Sequence, residues 1–430
     1  MAEPPPPIKL FLIFIILSAL YILSMFHRVS NAVMAPNLIQ DLGLDAETLG
    51  MLGGAFFYSF ALLQIPMGPM LDRIGPRIIF TFSLLIGAVG AFLFASGNSF
   101  PSALLGRTLI GAGMASILMG SLKVFTLNFS PRKFATLMGT LTSVGTLGSI
   151  LAASPLAYLT STIGWRITFM IAGGVTVAFA FLTFWILGEG KKNQERFGST
   201  SPPQPVIKIQ QSFRLILSSL AFWQIATAAF FRFGVSMSLQ GLWLGPYLMD
   251  IKGYSPVQTG NLLILLAIGA IVGGPIAGQF SDRIFRDSKR VALWGLSLYA
   301  LSLLPFLGFF KIQNPLWFGL IFFLNGFFGA FGMVIYSQAK DLFPIAISGT
   351  VMTWVNFFTI AGAAVFMPAI GKIIESFPRI GQAYPAEAYH LAFLICFLGM
   401  VVSIIFYAFS RKEKQKLGVQ SSAFGVNFRG

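Results

Sequence analysis

A chain of 430 residues that is 56% hydrophobic, 15% aromatic and only 10% charged falls outside the soluble globular class, where about a quarter of residues are charged. Its formal net charge of +15 would point to nucleic acid in a soluble protein, but the positions of the cations supply a different cause. A single cysteine, Cys396, excludes a disulfide within the chain and reads as a small apolar side chain.

The chain opens with MAEPPPPIKLFLIFIILSALYILSMF. Its apolar core is too long, and its start too weakly basic, for a cleaved signal peptide, so it reads as a retained first span. A membrane span needs about 20 apolar residues. Such runs recur near 10–36, 48–70, 78–97, 102–127, 134–160, 166–188, 217–247, 257–279, 290–310, 315–339, 347–373 and 388–409. These are spans 1 to 12. Residues 189–216 are charged, Ser/Pro-rich and aperiodic, which marks a solvent-exposed linker. Residues 411–430 form a polar tail. The expected fold is an all-α integral membrane protein: two pseudo-symmetric six-helix bundles, 1–188 and 217–410, joined by a cytoplasmic linker.

Lysine and arginine set the orientation. With the N-terminus in the cytoplasm, twenty of the 29 cations fall in cytoplasmic segments and five in outer loops: Arg166, Lys252, Lys311, Lys372 and Arg379. This positive-inside bias explains most of the net charge, and no nucleic-acid partner is expected. Four cations remain within spans: Arg28, Arg107, Lys123 and Arg232. No carboxylate does; all fourteen lie in loops or at span ends.

Residues 68–77, GPMLDRIGPR, form a charged turn between spans 2 and 3, with a cognate at residues 278–290, GQFSDRIFRDSKR. The first turn resembles the signature of the major facilitator superfamily, G-x-x-x-D-R-x-G-x-R in the loop after the second membrane helix. Gly68, Asp72, Arg73, Gly75 and Arg77 match it. In the second copy Gly278, Asp282 and Arg283 match, and the glycine of the turn is lost. The resemblance implies a gating role for Gly68, Asp72, Arg73, Gly75, Arg77, Asp282 and Arg283: a charge network that holds the cytoplasmic side closed in one state. Gly68 is expected to let two helices approach closely. Arg107, Gly111 and Gly113 resemble the superfamily's span 4 motif. Arg107 is grouped with the gate, or snorkels toward the nearby outer end of its span.

A cation at mid-membrane costs about 2.5–3.5 kcal/mol on insertion scales and usually marks a pathway. With no carboxylate beside them, Arg28 and Arg232 need a counter-ion from a helix end, water or the substrate. They sit in matching spans, 1 and 7, each with a polar stripe at spacings of three and four: Tyr21, Ser24, Arg28 and Asn31; Arg232, Ser236 and Gln240. Arginine offers a bidentate fork to carboxylate or phosphate. Lys123 is a candidate for the cytoplasmic half of the pathway. Tyr58, Gln64, Asn325, Tyr336 and Asn356 either line the cavity or bond neighbouring helices. His27, about 100° around the helix from Arg28, is a candidate proton carrier.

The arginine pair in spans 1 and 7 resembles the organophosphate–phosphate antiporters of the superfamily and is compatible with the anion–cation symporters for sugar acids. The expected function is secondary active transport of a small organic anion by alternating access. The alternatives are proton-coupled transport of a neutral or zwitterionic solute, such as an amino acid or short peptide, and a non-transporting membrane sensor. No enzyme activity, cofactor or metal is expected. The expected partners are an anionic substrate, the bilayer, and a proton or counter-anion. The chain is expected to be monomeric, in a bacterial inner membrane with both termini cytoplasmic.

Overall fold

The computed structural model describes residues 7–129, 134–187, 215–310, 314–342, 348–379, 381 and 383–410. Most of the expected linker and the whole of the expected tail lie outside these residues. Twelve helices among the described residues are long and apolar enough to cross a membrane: α1 (Ile8–Val29), α2 (Ala46–Gly68), α3 (Pro76–Ser96), α4 (Phe100–Asn128), α5 (Leu137–Thr162), α6 (Trp165–Ile186), α7 (Leu220–Lys252), α8 (Pro256–Gln279), α9 (Ser288–Leu307), α10 (Leu316–Ala339), α11 (Val351–Glu375) and α12 (Ala386–Ala408). They coincide with the twelve expected spans to within a few residues at most ends. The larger shifts are at α1, whose segment restarts beyond residue 29, and at the C-terminal end of α7.

Local chemistry fixes where the helices begin and bend. Asp45 accepts from the Thr48 amide at 2.7 Å, and its own amide donates to the Thr48 hydroxyl at 3.0 Å, a reciprocal cap for α2. Ser255 and Gln258 do the same for α8, with Pro256 in its first turn. Gly75, at φ +92°, makes the sharp reversal into Pro76 and α3, a backbone angle that favours glycine. Helix α1 breaks at Ser30, resumes as Asn31–Leu42, and ends on Gly43 in the left-handed region. Among other departures from regular winding, α7 contains a π-helical turn at Leu239–Trp243, and α10 a tightened 3-10 turn at Gly332–Val334. Such turns break regular packing and often occur at functional sites.

Large apolar side chains cover the outside of the bundle, among them Phe82, Trp185, Leu316 and Val402, all well over half exposed. That surface suits hydrocarbon, where helices satisfy their own backbone polar groups. The loops alternate between two ends. The proximal end carries residue 7, residues 74–75 and residue 410; the distal end carries residues 43–45, 97–99, 253–255, 376–379, 381 and 383–385.

The two halves clasp at the distal end. Helices α2 and α11 cross so closely that a Cβ on Gly50 would stand 2.7 Å from the Met367 carbonyl oxygen. A Cβ on Gly245 of α7 would meet the Ala32 carbonyl oxygen at 1.9 Å. Ser154 of α5 donates to the Val257 carbonyl at 3.2 Å and bonds Asn261 at 2.6 Å at the head of α8. The Ala46 amide, at the N-terminus of α2, donates to the Glu375 carboxylate at 2.8 Å and to the Tyr384 hydroxyl at 3.2 Å. Arg379 donates to Tyr384 at 2.8 Å, pairs with Glu375 at 3.9 Å and reaches the Leu44 carbonyl at 3.5 Å. A carboxylate and its hydroxyl and guanidinium neighbours thus cap a helix N-terminus belonging to the opposite half.

Candidate functional site

Arg28 and Arg232 are both buried, 5% and 6% exposed. Their surroundings differ. The Arg28 guanidinium lies over the Phe60 ring of α2, 4.5 Å from its centroid. Its buried Nε has no hydrogen-bond partner among the described residues. Its main chain abuts the π-helical turn of α7: a Cβ on Gly241 would come 3.2 Å from the Arg28 carbonyl oxygen. Arg232 instead reaches α10, donating from Nη1 to the Gly329 carbonyl at 3.2 Å and approaching the Met333 sulfur at 3.9 Å.

Phenols lie near both arginines. Tyr21 stands within electrostatic range of Arg28 and also of Tyr336, which in turn stands within range of Arg232. Tyr336 donates to Thr359 at 2.9 Å and lies 3.3 Å from the Asn356 side-chain oxygen, both on α11. Tyr299 of α9 faces Arg232 and Ser236. Tyr21 owes its seat to Gly145 of α5, where a Cβ would meet the ring at 1.9 Å. The site is therefore a row of cations, phenols and amides that crosses from one half to the other. The ion pairs Arg166–Asp41, Arg290–Asp287 and Arg379–Glu375 lie at helix ends or in loops and involve none of Arg28, Arg107 and Arg232.

Of the expected site residues, Arg28, Arg232, Tyr21, Ser236, Tyr336 and Asn356 fall in this row. Asn31 is buried just past the break in α1 with both side-chain atoms unpartnered among the described residues, and Gln240 is buried in the π-helical turn. Lys123 is half-buried in the proximal part of α4, where it makes interactions of its own.

Tyr58 does not join them. It is 47% exposed, and it lies two residues, about 200° around the helix, from the Phe60 that meets Arg28. It faces away from the site. Gln64 and Asn325 bond neighbouring helices, donating to the Ala115 carbonyl and the Ser302 hydroxyl, both at 2.9 Å.

Three residues of the expected gate have the following surroundings in this structure. Gly68 is open, with nothing within 4 Å of a Cβ placed there, so no helix approaches it. Arg77 donates to the Phe184 carbonyl at 2.8 Å and lies 3.9 Å over the Phe184 ring, tying α3 to α6 within one half. Arg107 does not snorkel. It is fully buried and donates to the His27 carbonyl at 3.1 Å, one turn before the break in α1. It is held inside because Gly111 and Gly113 let α4 press against the Phe56 backbone of α2 and Gly87 of α3. Arg73 is exposed at the proximal end. The side chains of Asp72, Asp282 and Arg283 lie outside the described residues. His27 is fully buried against Phe26 and Phe169, and neither ring nitrogen has a hydrogen-bond partner among the described residues.

Sequence reasoning missed Phe60, Tyr299, Thr359 and the α10 residues that receive Arg232. It also missed a distal cleft of about 470 Å³ between the halves, lined by Gln40, Trp243, Asp250, Arg379, Tyr384 and Tyr389. Tyr389 donates to Asp250 there at 2.6 Å. The clasp residues Ala46, Arg379 and Tyr384 line this cleft, and none of the arginine row does.

Comparison with known proteins gives a consistent result. A profile of the Major Facilitator Superfamily matches residues 17–287 and 229–426. The probable sulfoacetate transporter of Cupriavidus necator is 24% identical over 287 residues, 65% of this chain and 66% of that protein. The probable hexose phosphate transport protein of Chlamydia trachomatis is 24% identical, covering 88% of each chain. The probable galactarate/D-glucarate transporter of Escherichia coli is 23% identical, covering 83% of this chain and 85% of that one. Among solved structures, a bacterial homologue of the human lysosomal transporter Spinster superposes with a TM-score of 0.73 at 18% identity, over 94% of this chain and 97% of that one. A D-xylose–proton symporter gives 0.73 at 14% identity, over 95% and 99%. These superpositions show a shared fold.

Proposed function

The chain belongs to the Major Facilitator Superfamily, whose members are membrane transporters and not enzymes, and from that premise we propose that it moves a small hydroxylated organic anion, a sugar acid or sugar phosphate, by alternating access. The observation that carries this reading is Arg28. A guanidinium buried in a membrane bundle keeps its charge at considerable cost unless something completes its hydrogen bonding. Its ring contact with Phe60 offsets part of that cost but uses none of its donors. A carboxylate or phosphate would use them in bidentate fashion. The phenols and amide around the arginine row suit substrate hydroxyls. The names of the relatives from C. necator, C. trachomatis and E. coli, all pointing to anionic cargo, support the same class.

In the proposed cycle the anion binds Arg28 from one half and Arg232 from the other, and its charge lowers the cost of bringing the halves together. The clasp at Ala46, Glu375 and Tyr384 holds the distal side shut. The Lys and Arg bias makes the distal side external, so this conformer receives or releases substrate from the cytoplasm. Location in a bacterial inner membrane with cytoplasmic termini fits that bias. Coupling is by exchange or by a proton carried with the substrate, since the spans hold no carboxylate relay.

The test is thermal-shift titration of the purified protein with D-glucarate, glucose 6-phosphate, sulfoacetate and inorganic phosphate, beside Arg28→Gln. A ligand stabilises by mass action. Stabilisation by an anion that disappears in the variant is the expected result. Stabilisation only by neutral or zwitterionic solutes such as amino acids or dipeptides, retained in Arg28→Gln, would overturn the anion reading.

A further inference from the structure

The tightened turn in α10 is built around Arg232. At this point α10 changes from α to 3-10 winding at Gly332–Val334. The Gly332 amide turns back to the Gly329 carbonyl, whose second lone pair takes Nη1 of Arg232 at 3.2 Å. The next residue, Met333, presents its sulfur to Nη2 at 3.9 Å. Between them Gly332 has no side chain, and the space a side chain would fill holds the arginine. A Cβ there would lie 2.4 Å from Arg232 Cδ, 2.6 Å from Nε and 3.0 Å from Cγ. Real Cβ atoms essentially never come under 3.0 Å of a neighbour.

We infer that Gly332 is a positioning residue for Arg232: its bare backbone lets the arginine stem lie flat across α10 and aims the guanidinium into the row shared with Tyr336 and Tyr299. This rests on the proposed role of Arg232 in anion binding. The atoms in conflict belong to a long flexible side chain, not to the backbone of a neighbouring helix. An added methyl group therefore displaces Arg232 before it displaces α10. That separates Gly332 from Gly269 or Gly326, where a Cβ would strike the backbone of the opposing helix at 2.0 and 1.8 Å.

The experiment is a double-mutant cycle of Gly332→Ala and Arg232→Gln. Gly319→Ala is the control on the same helix, where the added Cβ meets only the end of the Leu265 side chain. Two readouts are taken on purified protein: apparent Tm without ligand, and affinity for D-glucarate and glucose 6-phosphate. Gly332→Ala is expected to weaken binding of whichever probe the wild type takes by about tenfold, the scale of an overpacking penalty. It should cost nothing further in the Arg232→Gln background. Its Tm deficit should likewise vanish there, and Gly319→Ala should behave as wild type. Wild-type affinity in Gly332→Ala, or losses that add in the double variant, would overturn the inference. If Gly332→Ala alone fails to fold, recovery of folding in the double variant supports the seat, and continued failure overturns it. The ligand-free cycle judges the seat separately. Should Arg232→Gln bind every probe as wild type does, the role of Arg232 in anion binding falls, and the Tm coupling still decides whether Gly332 seats it.

Discussion

The Arg28 guanidinium lies 4.5 Å from the centroid of the Phe60 ring, and Phe60 stacks on Phe56 at 5.9 Å, the ring that in turn lies 5.5 Å from Arg107. Two cations of one half are thus carried by two stacked rings of α2, one turn apart.

That relationship gives the first prediction. Phe60→Leu keeps an apolar side chain of similar reach and removes the π face. A desolvated cation–π contact is worth about 2 kcal/mol. Anion affinity is expected to fall on the order of tenfold in Phe60→Leu as the guanidinium loses its platform. Arg28→Lys keeps the charge but not the planar fork, and is expected to fall at least as far. Titration of both variants with the probe that stabilises the wild type checks this; unchanged affinity in Phe60→Leu would show that the ring does not orient Arg28.

A second prediction concerns the distal clasp. Glu375→Gln removes the charge that caps α2 and pairs with Arg379. Hydrogen bonds to charged groups contribute about 1.5–3 kcal/mol, enough to raise a distally open population about tenfold or more. Ala35 is fully buried and borders the distal cleft, so an Ala35→Cys variant reports on opening, and the one native cysteine is itself buried. Labelling of Ala35→Cys by a membrane-impermeant maleimide is expected to speed up severalfold when Glu375→Gln is added. An unchanged rate would remove Glu375 from the clasp.

The same clasp sets a pH window. Burial alone would raise the Asp45 carboxyl, but the Thr48 hydroxyl and amide and the Arg379 charge outweigh it and hold Asp45 below the usual carboxylate value. A depressed folded value stabilises fully above about pH 4, the unfolded value, and the contribution is lost as pH falls through the lower folded one. Tyr384 acts at the other limit. Burial, and then its hydrogen bond to Glu375, push the phenol up to about 12. Its contribution is complete below about pH 10 and is lost as pH rises from there toward the folded value. Maleimide labelling is compromised at these extremes, so apparent Tm against pH is the measurement. The alkaline fall of the profile should be reduced in Tyr384→Phe and its acid fall reduced in Asp45→Asn.

A fourth prediction separates structure from gating at the proximal turn. Arg77 stacks on Phe184 and bonds its carbonyl within one half. Arg77→Ala is expected to cost about 1 kcal/mol of stability, the scale of an exposed cation–π contact, and to leave anion affinity unchanged. Proteoliposome flux normalised to folded protein is the companion measurement. A severalfold loss of flux at unchanged affinity would assign Arg77 a part in the conformational change as well.

The spans were legible because a bilayer imposes length and composition on every helix, and Arg28 and Arg232 stood out because cations are rare inside spans. The partners were not legible. Phe60 is one of 46 phenylalanines, and nothing in periodicity separates a ring under a guanidinium from a ring in lipid. Tyr58 looked like a site residue because it is polar within an apolar run, but only the rotation of α2 decides its face. Arg107 looked like a snorkelling residue because it is close to the end of its span, yet the glycines after it draw α4 inward. The seat of Arg232 is made of a carbonyl, a thioether and the absence of a side chain, none of which carries a polar signature in the sequence.

The clasp has one more consequence. On the side of the first half, its contribution to Glu375 and Tyr384 is the main-chain amide of residue 46 and not a side chain. For that bond, any residue except proline serves at this position. At this contact an alanine scan would therefore find only Glu375, Arg379 and Tyr384, all in the second half, and would portray a mutual grip as one hand closing on nothing. Mapping it in full calls for a backbone change: an ester in place of the Ala46 amide, which deletes the donor and leaves every side chain as it was.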